Sequence, residues 1–400
     1  MKYLVLLCDG MADTPSEMLA GATPMERAKK ENMEALAASG TVGMVRTVPR
    51  GMKPGSDVAN LSVMGYGPER FYTGRSPLEA ANMGIRLSPS QYAIRCNLVT
   101  LGEGGSFAGR TMEDYCAGDI SSEEAAELIR FLAPQLPEGM RLYPGVSYRH
   151  CLTWENPEEN IGELTPPHDI PGRKIGGYLP DGKARALRGV MEWSAGVLPD
   201  HPVNRARMAA GKRPANAVWL WGQGRQAALP SFSEQWGLKG AVISAVDLIK
   251  GIGRLSGMEV IDVPGATGYI DTNFSGKAEA AIRAFREGVD LVYLHLEAPD
   301  ECGHRGEAEN KVRAIETIDR DVLGPVLEAM AAMGDYRVLV LPDHPTPLTV
   351  RTHTADPVPF LLYDSRSEGP GAKTFTEAAA AETGLFVERG DRLMGMLLER

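Results

Sequence analysis

Near its start the chain reads YLVLLCDG over residues 3–10, six apolar residues closed by Asp9-Gly10. A run of this kind with no polar alternation is satisfied only in a strand covered on both faces, so it predicts an internal strand of a parallel sheet with helices on either side. Asp9 then stands at the carboxyl end of the strand. The same pattern returns late, in DLVYLHLEAPD (290–300) and YRVLVLPDH (336–344), with PVPFLLYD (357–364) as one more strand. In open parallel sheets ligands bind beyond the carboxyl ends of the strands, so the charged residues closing these runs gain interest.

Helical patterns separate the strands. TPMERAKKENMEALAASG (23–40) predicts one helix, with Thr23 as N-cap, Pro24 in the first position, Glu26 completing a capping box and Gly40 at the stop. SGKAEAAIRAFREG (275–288) predicts a second. ENKVRAIETIDRDVLGPVLEAMAAMG (309–334) predicts a long helix kinked near Pro325, with Ile315, Ile318 and Val322 on one face. Four hundred residues exceed one simple core, and residues 86–230 differ in texture, with Pro/Gly-rich stretches such as LTPPHDIPGRKIGGYLPDGK between short strand candidates AIRCNLVT and AVWLWG. The expectation is an α/β doubly wound, mostly parallel sheet from residues 1–85 and 231–400, with a smaller α/β domain inserted at 86–230. Within the insert, SSEEAAELIRFLAP predicts a helix capped by a Ser121/Glu124 box.

Composition excludes several classes. Lysine plus arginine is 42 against 52 acidic residues, a net charge of −10, with no basic block, which argues against nucleic acid or anionic membrane as partners. Five cysteines, Cys8, Cys96, Cys116, Cys151 and Cys302, lack CxxC spacing and predict neither a disulfide framework nor a thiolate zinc site. The first apolar run is too short for a signal peptide, and no window nears the ~20 apolar residues of a membrane span, so a cytoplasmic enzyme is expected.

The candidate chemistry lies at the strand ends. Asp300 and His304, four apart, reach one ion if the segment turns once helically. Asp343 and His344 are adjacent and so are expected to diverge towards two ions, and His353 follows on a loop before a strand. With Asp9 and a serine, Ser56, on the bend of PGSDVANLSVMGYGP (54–68), these form an oxygen and imidazole shell suited to two divalent ions, which would clamp a phosphoryl transfer and activate the serine. His295, inside an apolar strand, is expected to be a core histidine bonded to a neighbour, and His201 a surface loop residue.

Taken together, CDGMAD, PGSDVANLSVMGYGP, YTGRSPLEAANMGI, RCNLVT, TPPHDI, HPVNRARMAAGKRPANAVWLWGQG, GATGYIDTNFSGK, LHLEAPDECGHRG, LVLPDHPTP and RTHTADPVPF resemble the archaeal-type branch of the cofactor-independent phosphoglycerate mutases, in the alkaline phosphatase superfamily. The resemblance spans nearly the whole chain and implies an alkaline-phosphatase type of sheet. It implies that Ser56 is the phosphorylated serine, that Asp9, Ser56, Asp343 and His344 form one metal site, and that Asp300, His304 and His353 form the other. Lys250 resembles the family's lysine beside the phosphoserine. The implied ions are two divalent metals, Mn²⁺ first and Zn²⁺ or Mg²⁺ as alternatives, with no 2,3-bisphosphoglycerate required.

A substrate carrying phosphate and carboxylate needs guanidinium forks. Candidates in the insert are Arg95, Asn97, Arg110, Arg149, His150, His168, Asp169, Arg205 and Arg225. Arg95 stands out because it interrupts an apolar strand, where an unpaired charge is costly. The expected reaction is interconversion of 3-phosphoglycerate and 2-phosphoglycerate through phosphoserine, with closure of the insert excluding water. The alternatives are a phosphotransferase acting on homoserine and a metal-dependent phosphatase. No Walker loop or kinase glycine loop supports the first, and a binding protein that had lost catalysis would not need Ser56.

Overall fold

The computed structural model describes residues 1–156, 158 and 160–399. The chain divides into two units, Met1–Tyr72 with Ala228–Arg400, and Thr73–Ala227. The first crossover therefore falls at residue 72, earlier than the expected 85. The physical reason is the helix Ser76–Asn82, whose residues Leu78 and Ala80 are buried and which packs on the strands Gln91–Leu101 and Ala217–Arg225 of the second unit.

The first unit is built on an eight-stranded sheet in the order Phe386–Val387, Thr41–Val45, Val358–Asp364, Tyr336–Leu341, Lys2–Cys8, Leu291–Leu296, Gly240–Ile243, Glu259–Ile261. Neighbours pair in parallel except around Val358–Asp364, which is antiparallel to both of its partners. The mostly parallel α/β reading of the sequence holds. Lys2–Cys8 lies at the centre, and Leu4, Val5, Leu6 and Leu7 are wholly buried, as a strand without polar alternation requires. Each such side chain contributes about 1.5–3 kcal/mol of burial free energy. The three strands Lys2–Cys8, Leu291–Leu296 and Tyr336–Leu341 run side by side in one direction, so Asp9, Asp300 and Asp343 emerge at one edge.

Two helices differ from the expected pattern. The segment 23–40 forms two helices, Pro24–Arg27 and Glu31–Ser39, broken where Ala28 is extended and buried Lys30 bonds Glu34 at 2.6 Å. The Thr23/Glu26 capping box is present. Near Pro325 the long helix Ala308–Thr317 passes into a wide π turn, Ile318–Leu323, before Gly324–Met333. Pro325 has no N–H to donate and its ring crowds the preceding turn, and the wider turn accommodates it: the Gly324 amide reaches back five residues to the Asp319 carbonyl. The Asp319 carboxylate then accepts the amides of Asn32 (3.0 Å) and Met33 (2.8 Å) at the start of the Glu31–Ser39 helix. Ile315, Ile318 and Val322 are all buried on one side.

The second unit is an antiparallel five-stranded sheet around Gln91–Leu101, which pairs with Arg149–Glu155, Ala217–Arg225 and Met112–Asp114, while Met140–Tyr143 adds to Arg149–Glu155. Helices Ser122–Leu132 and Arg185–Val197 bury Leu128, Ile129, Leu187 and Met191 in its core. Ser121 caps the first of these through the Glu124 amide (3.2 Å), but the Glu124 side chain meets Arg207 at 2.5 Å. Arg207 is itself buried and also donates to the Ala117 and Arg213 carbonyls. His201, expected on the surface, is buried: it caps the helix Pro202–Ala209 and its ring lies 4.9 Å from that of Phe131. All five cysteines are free thiols.

Candidate metal centre and catalytic site

Three buried carboxylates meet at the sheet edge. Asp9 follows the central strand, Asp300 lies in the first turn of the helix Ala298–Arg305, and Asp343 follows Tyr336–Leu341. Gly10 makes their approach possible. Its φ is +61°, and a Cβ there would lie 2.6 Å from the Asp300 Cα, so no larger residue fits between Asp9 and Asp300.

Imidazoles fill the spaces between the carboxylates. His304 Nε2 lies 3.2 Å from Asp300 Oδ2, one helical turn away as the spacing predicts. His353 Nε2 is 3.5 Å from Asp300 Oδ1 and 2.9 Å from His304 Nε2. His344 does not diverge from its neighbour: its Nε2 lies 3.4 Å from Asp343 Oδ2, 3.6 Å from Asp9 Oδ1 and 3.2 Å from Ser56 Oγ. Both side chains of the adjacent pair turn inward because the Asp343 Oδ1 accepts the backbone amides of Gly10 (3.2 Å) and His344 (2.9 Å), which folds the loop over itself.

Ser56 sits at the first position of the helix Ser56–Val63, after an extended Gly55, and not in the turn itself. The helix N-terminus and its free amides favour negative charge at this hydroxyl. Asn60, one turn on, fixes the helix to the site. Its amide donates to the Ser56 carbonyl (2.8 Å) and Asp343 Oδ2 (2.9 Å), and its oxygen accepts from the Tyr293 hydroxyl (2.6 Å).

The electrostatics expose a shortage of positive charge. Burial and the neighbouring carboxylates of Asp343 and Asp300 push the Asp9 carboxyl well above the usual range. Its Oδ1 is buried with no hydrogen-bond partner. Asp300 moves the other way, because hydrogen bonds to His304 and His353 outweigh its burial. The same bond raises the His304 pKa to about 9. Three groups offer ligand atoms within 4.8 Å of one another: Asp300, His304 and His353; Asp9, Asp300 and His344; Asp9, His295 and Asp343. Hard oxygen and borderline nitrogen donors in this mixture fit divalent cations such as Mn²⁺ or Zn²⁺.

His295 is buried and bonded to neighbours as expected, but one neighbour is Asp9. Its Nε2 lies 3.0 Å from Asp9 Oδ2 and its Nδ1 3.1 Å from Ser244 Oγ, so it orients the carboxylate. Burial lowers its pKa to about 3. Lys250 lies in the helix Asp247–Leu255, which packs on the Ser56–Val63 helix, and its amine bonds Asp262 at 2.6 Å.

In the second unit a separate polar cluster forms around Arg95. Its charge is paired, as its place in a buried strand demands: the guanidinium meets Glu79 and lies 5.1 Å over the Trp221 ring. Arg75 binds the same carboxylate at 2.9 Å. Asn97 accepts from Trp221 Nε1 (3.0 Å) and donates to the Tyr115 carbonyl, and the His168 ring stacks edge-on to Trp221 and Tyr115, with Asp169 3.7 Å from it. The Arg149 and Arg75 charges act on Arg95. His150 is buried behind them and accepts from the Gly145 amide (3.0 Å), and burial lowers its pKa to about 3. Arg110 is half-buried at the end of a short turn.

Two candidates stand apart from this cluster. Arg205 is exposed and paired with Asp200, and the Arg225 guanidinium is occupied by the carbonyls of Pro89, Asn156 and Glu158. Residue spacing alone missed Arg75, Glu79 and Asn60. Asn60 was legible as the residue one helical turn after Ser56; the others needed the fold.

An α/β sheet that gathers carboxylates and imidazoles at one strand edge around a helix-start serine defines a class of divalent-metal-dependent enzyme. The family model of 2,3-bisphosphoglycerate-independent phosphoglycerate mutase matches residues 37–204. A protein of that name from Methanothrix thermoacetophila is 52% identical over 400 residues, covering all of both chains. A Geobacter sulfurreducens protein, named as a probable member, is 50% identical over 403 residues, again covering both fully. The solved cofactor-independent phosphoglycerate mutase from Thermoplasma acidophilum aligns with a TM-score of 0.64 at 27% identity, over 100% of this chain and 99% of that one. The chain belongs to the 2,3-bisphosphoglycerate-independent phosphoglycerate mutase family.

Proposed function

We propose that this chain interconverts 3-phosphoglycerate and 2-phosphoglycerate through a phosphoserine at Ser56, without a bisphosphate cofactor, in the cytoplasm. The observation that carries the reading is the position of Ser56 Oγ, at a helix start and 3.2 Å from His344 Nε2 within the carboxylate cluster. Asp9, Ser56, Asp343 and His344 would hold one divalent ion, Mn²⁺ in this reading, and Asp300, His304 and His353 a second. Bound there, the ions supply positive charge that lowers the serine pKa and offsets the charge gathering on the phosphoryl group.

The chain's own residues do the rest. Ser56 Oγ attacks phosphorus, the bond from phosphorus to the glycerate 3-oxygen breaks, and that oxygen takes up a proton equivalent to the one the serine gives up. The amides at the start of the Ser56–Val63 helix face the phosphoryl oxygens. Lys250 would add a cation close to this helix. The 2-hydroxyl of glycerate then attacks the phosphoserine phosphorus, the bond from phosphorus to Ser56 Oγ breaks, and the proton the hydroxyl loses is matched by the one Ser56 regains. Taken by itself, the second unit's cluster of Arg75, Arg95, Arg149, Asn97 and His168 has the kind of forks and donors that bind a phosphorylated carboxylate. Arg110, His150 and Asp169 lie in the same unit.

The test follows 2-phosphoglycerate in an enolase-coupled assay given 3-phosphoglycerate and Mn²⁺ but no 2,3-bisphosphoglycerate. Turnover is expected. Strict dependence on added bisphosphate would sink the reading.

A further inference from the structure

Thr346 lies just past the Asp343-His344 pair and is wholly buried. Its hydroxyl donates to Asp300 Oδ1 and lies 3.3 Å from His344 Nδ1. A hydroxyl has one proton. Since that proton is given to Asp300, the oxygen can only accept from His344, and the Nδ1 must carry a hydrogen. The Nε2 of His344 is then the unprotonated nitrogen, and it faces Ser56 Oγ, Asp343 Oδ2 and Asp9 Oδ1. One side chain thus touches Asp300 of one proposed metal site and His344 of the other.

The rest of Thr346 is anchored without the hydroxyl. Its amide donates to the Ala12 carbonyl at 3.2 Å. Its carbonyl accepts from Lys311 Nζ at 2.8 Å, and that buried amine is paired with Asp13 at 2.7 Å. The methyl packs against Gly303, where a Cβ would come within 2.9 Å of it. Removing the hydroxyl therefore leaves the residue in place while cutting both side-chain bonds.

We propose that Thr346 is a positioning residue that joins the two proposed metal sites, holding His344 in its Nδ1–H tautomer and steering the Asp300 carboxylate. The proposal rests on the metal-site reading above, and partners of ligands typically change metal affinity by about 10–100-fold when removed.

The test compares full-length wild type, Thr346→Val and Thr346→Ser. Mn²⁺ binding is measured by calorimetry, and the histidine ring tautomers by nitrogen-15 NMR of the metal-free chain, with circular dichroism as the fold control. Wild type and Thr346→Ser should bind two ions alike and show His344 as Nδ1–H. Thr346→Val should keep the fold, bind Mn²⁺ about 10–100-fold more weakly and change the His344 tautomer signal. Val binding and tautomer equal to wild type would overturn the proposal, as would equal losses in Ser and Val, which would indicate packing alone. If wild type binds no pair of ions, the metal-site reading fails, and the tautomer signal still decides the role of Thr346.

Discussion

Ser56 looks like turn chemistry in the sequence, yet it opens a helix and has an imidazole nitrogen 3.2 Å from its oxygen. Ser56→Ala is expected to remove mutase turnover, by at least about 10³-fold, because Ser56 Oγ is the proposed nucleophile. Circular dichroism should stay unchanged, and labelled phosphate from the substrate should no longer be trapped on the protein. Persisting turnover in this variant would count against the phosphoserine route. His295 makes a second residue-scale case. His295→Phe cuts the 3.0 Å bond to Asp9 and should weaken Mn²⁺ binding by about 10–100-fold, read by calorimetry, while His201→Phe in the second unit should leave it unchanged. Periodicity placed His295 in the core correctly but could not say which neighbour it touches, because strand order, not spacing along the chain, puts Asp9 beside it.

Strands and helices were legible where one local rule dominated. Lys2–Cys8, Leu291–Leu296 and Tyr336–Leu341 follow from unbroken apolar runs, and the Thr23/Glu26 box forms as its spacing predicts. Glu124 shows the limit of such rules: it leaves the predicted box for Arg207, a buried charge that needs it more. Arg207 links the helices Ser122–Leu132 and Pro202–Ala209 to the Ala117 and Arg213 carbonyls. Arg207→Ala should destabilise the second unit by about 3 kcal/mol in urea denaturation, since it strands these acceptors. Arg205→Ala, on the same helix but exposed, should cost under about 1 kcal/mol.

For the molecule as a whole, acidity and metal supply are the levers. His150 is buried, and its folded pKa of about 3 lies below its ordinary 6.5. Between these values the unfolded chain binds the proton and the folded chain does not, so stability falls as pH drops below about 6.5. The loss is about 1.4 kcal/mol per pH unit for this one group. Denaturation at pH 6.5 and pH 5 should show a difference about 2 kcal/mol smaller in His150→Gln than in wild type. An equal difference in both proteins would show that His150 does not set this limb. Chelation should abolish turnover and lower the melting temperature of the first unit, because Asp9, Asp300 and Asp343 would repel one another without cations. Re-addition of Mn²⁺ should restore both. No helix among the described residues is long and apolar enough to cross a membrane.

Local patterning was enough to place the central strands and the charged residues that close them, because an apolar run fixes a buried strand and a strand has only two ends. It also determined the helical spacing that brings Asp300 and His304 together. The convergence of Asp343 and His344, and the sharing of the Arg95 charge with Glu79 and Arg75, came from the packed fold. The fold likewise sets the Thr346 hydroxyl against both Asp300 and His344. These contacts join residues from different strands, helices and loops. Their partners are chosen by sheet order, by Gly10 at its positive φ, and by the cost of burying a charge or hydroxyl alone, none of which is a property of any one segment.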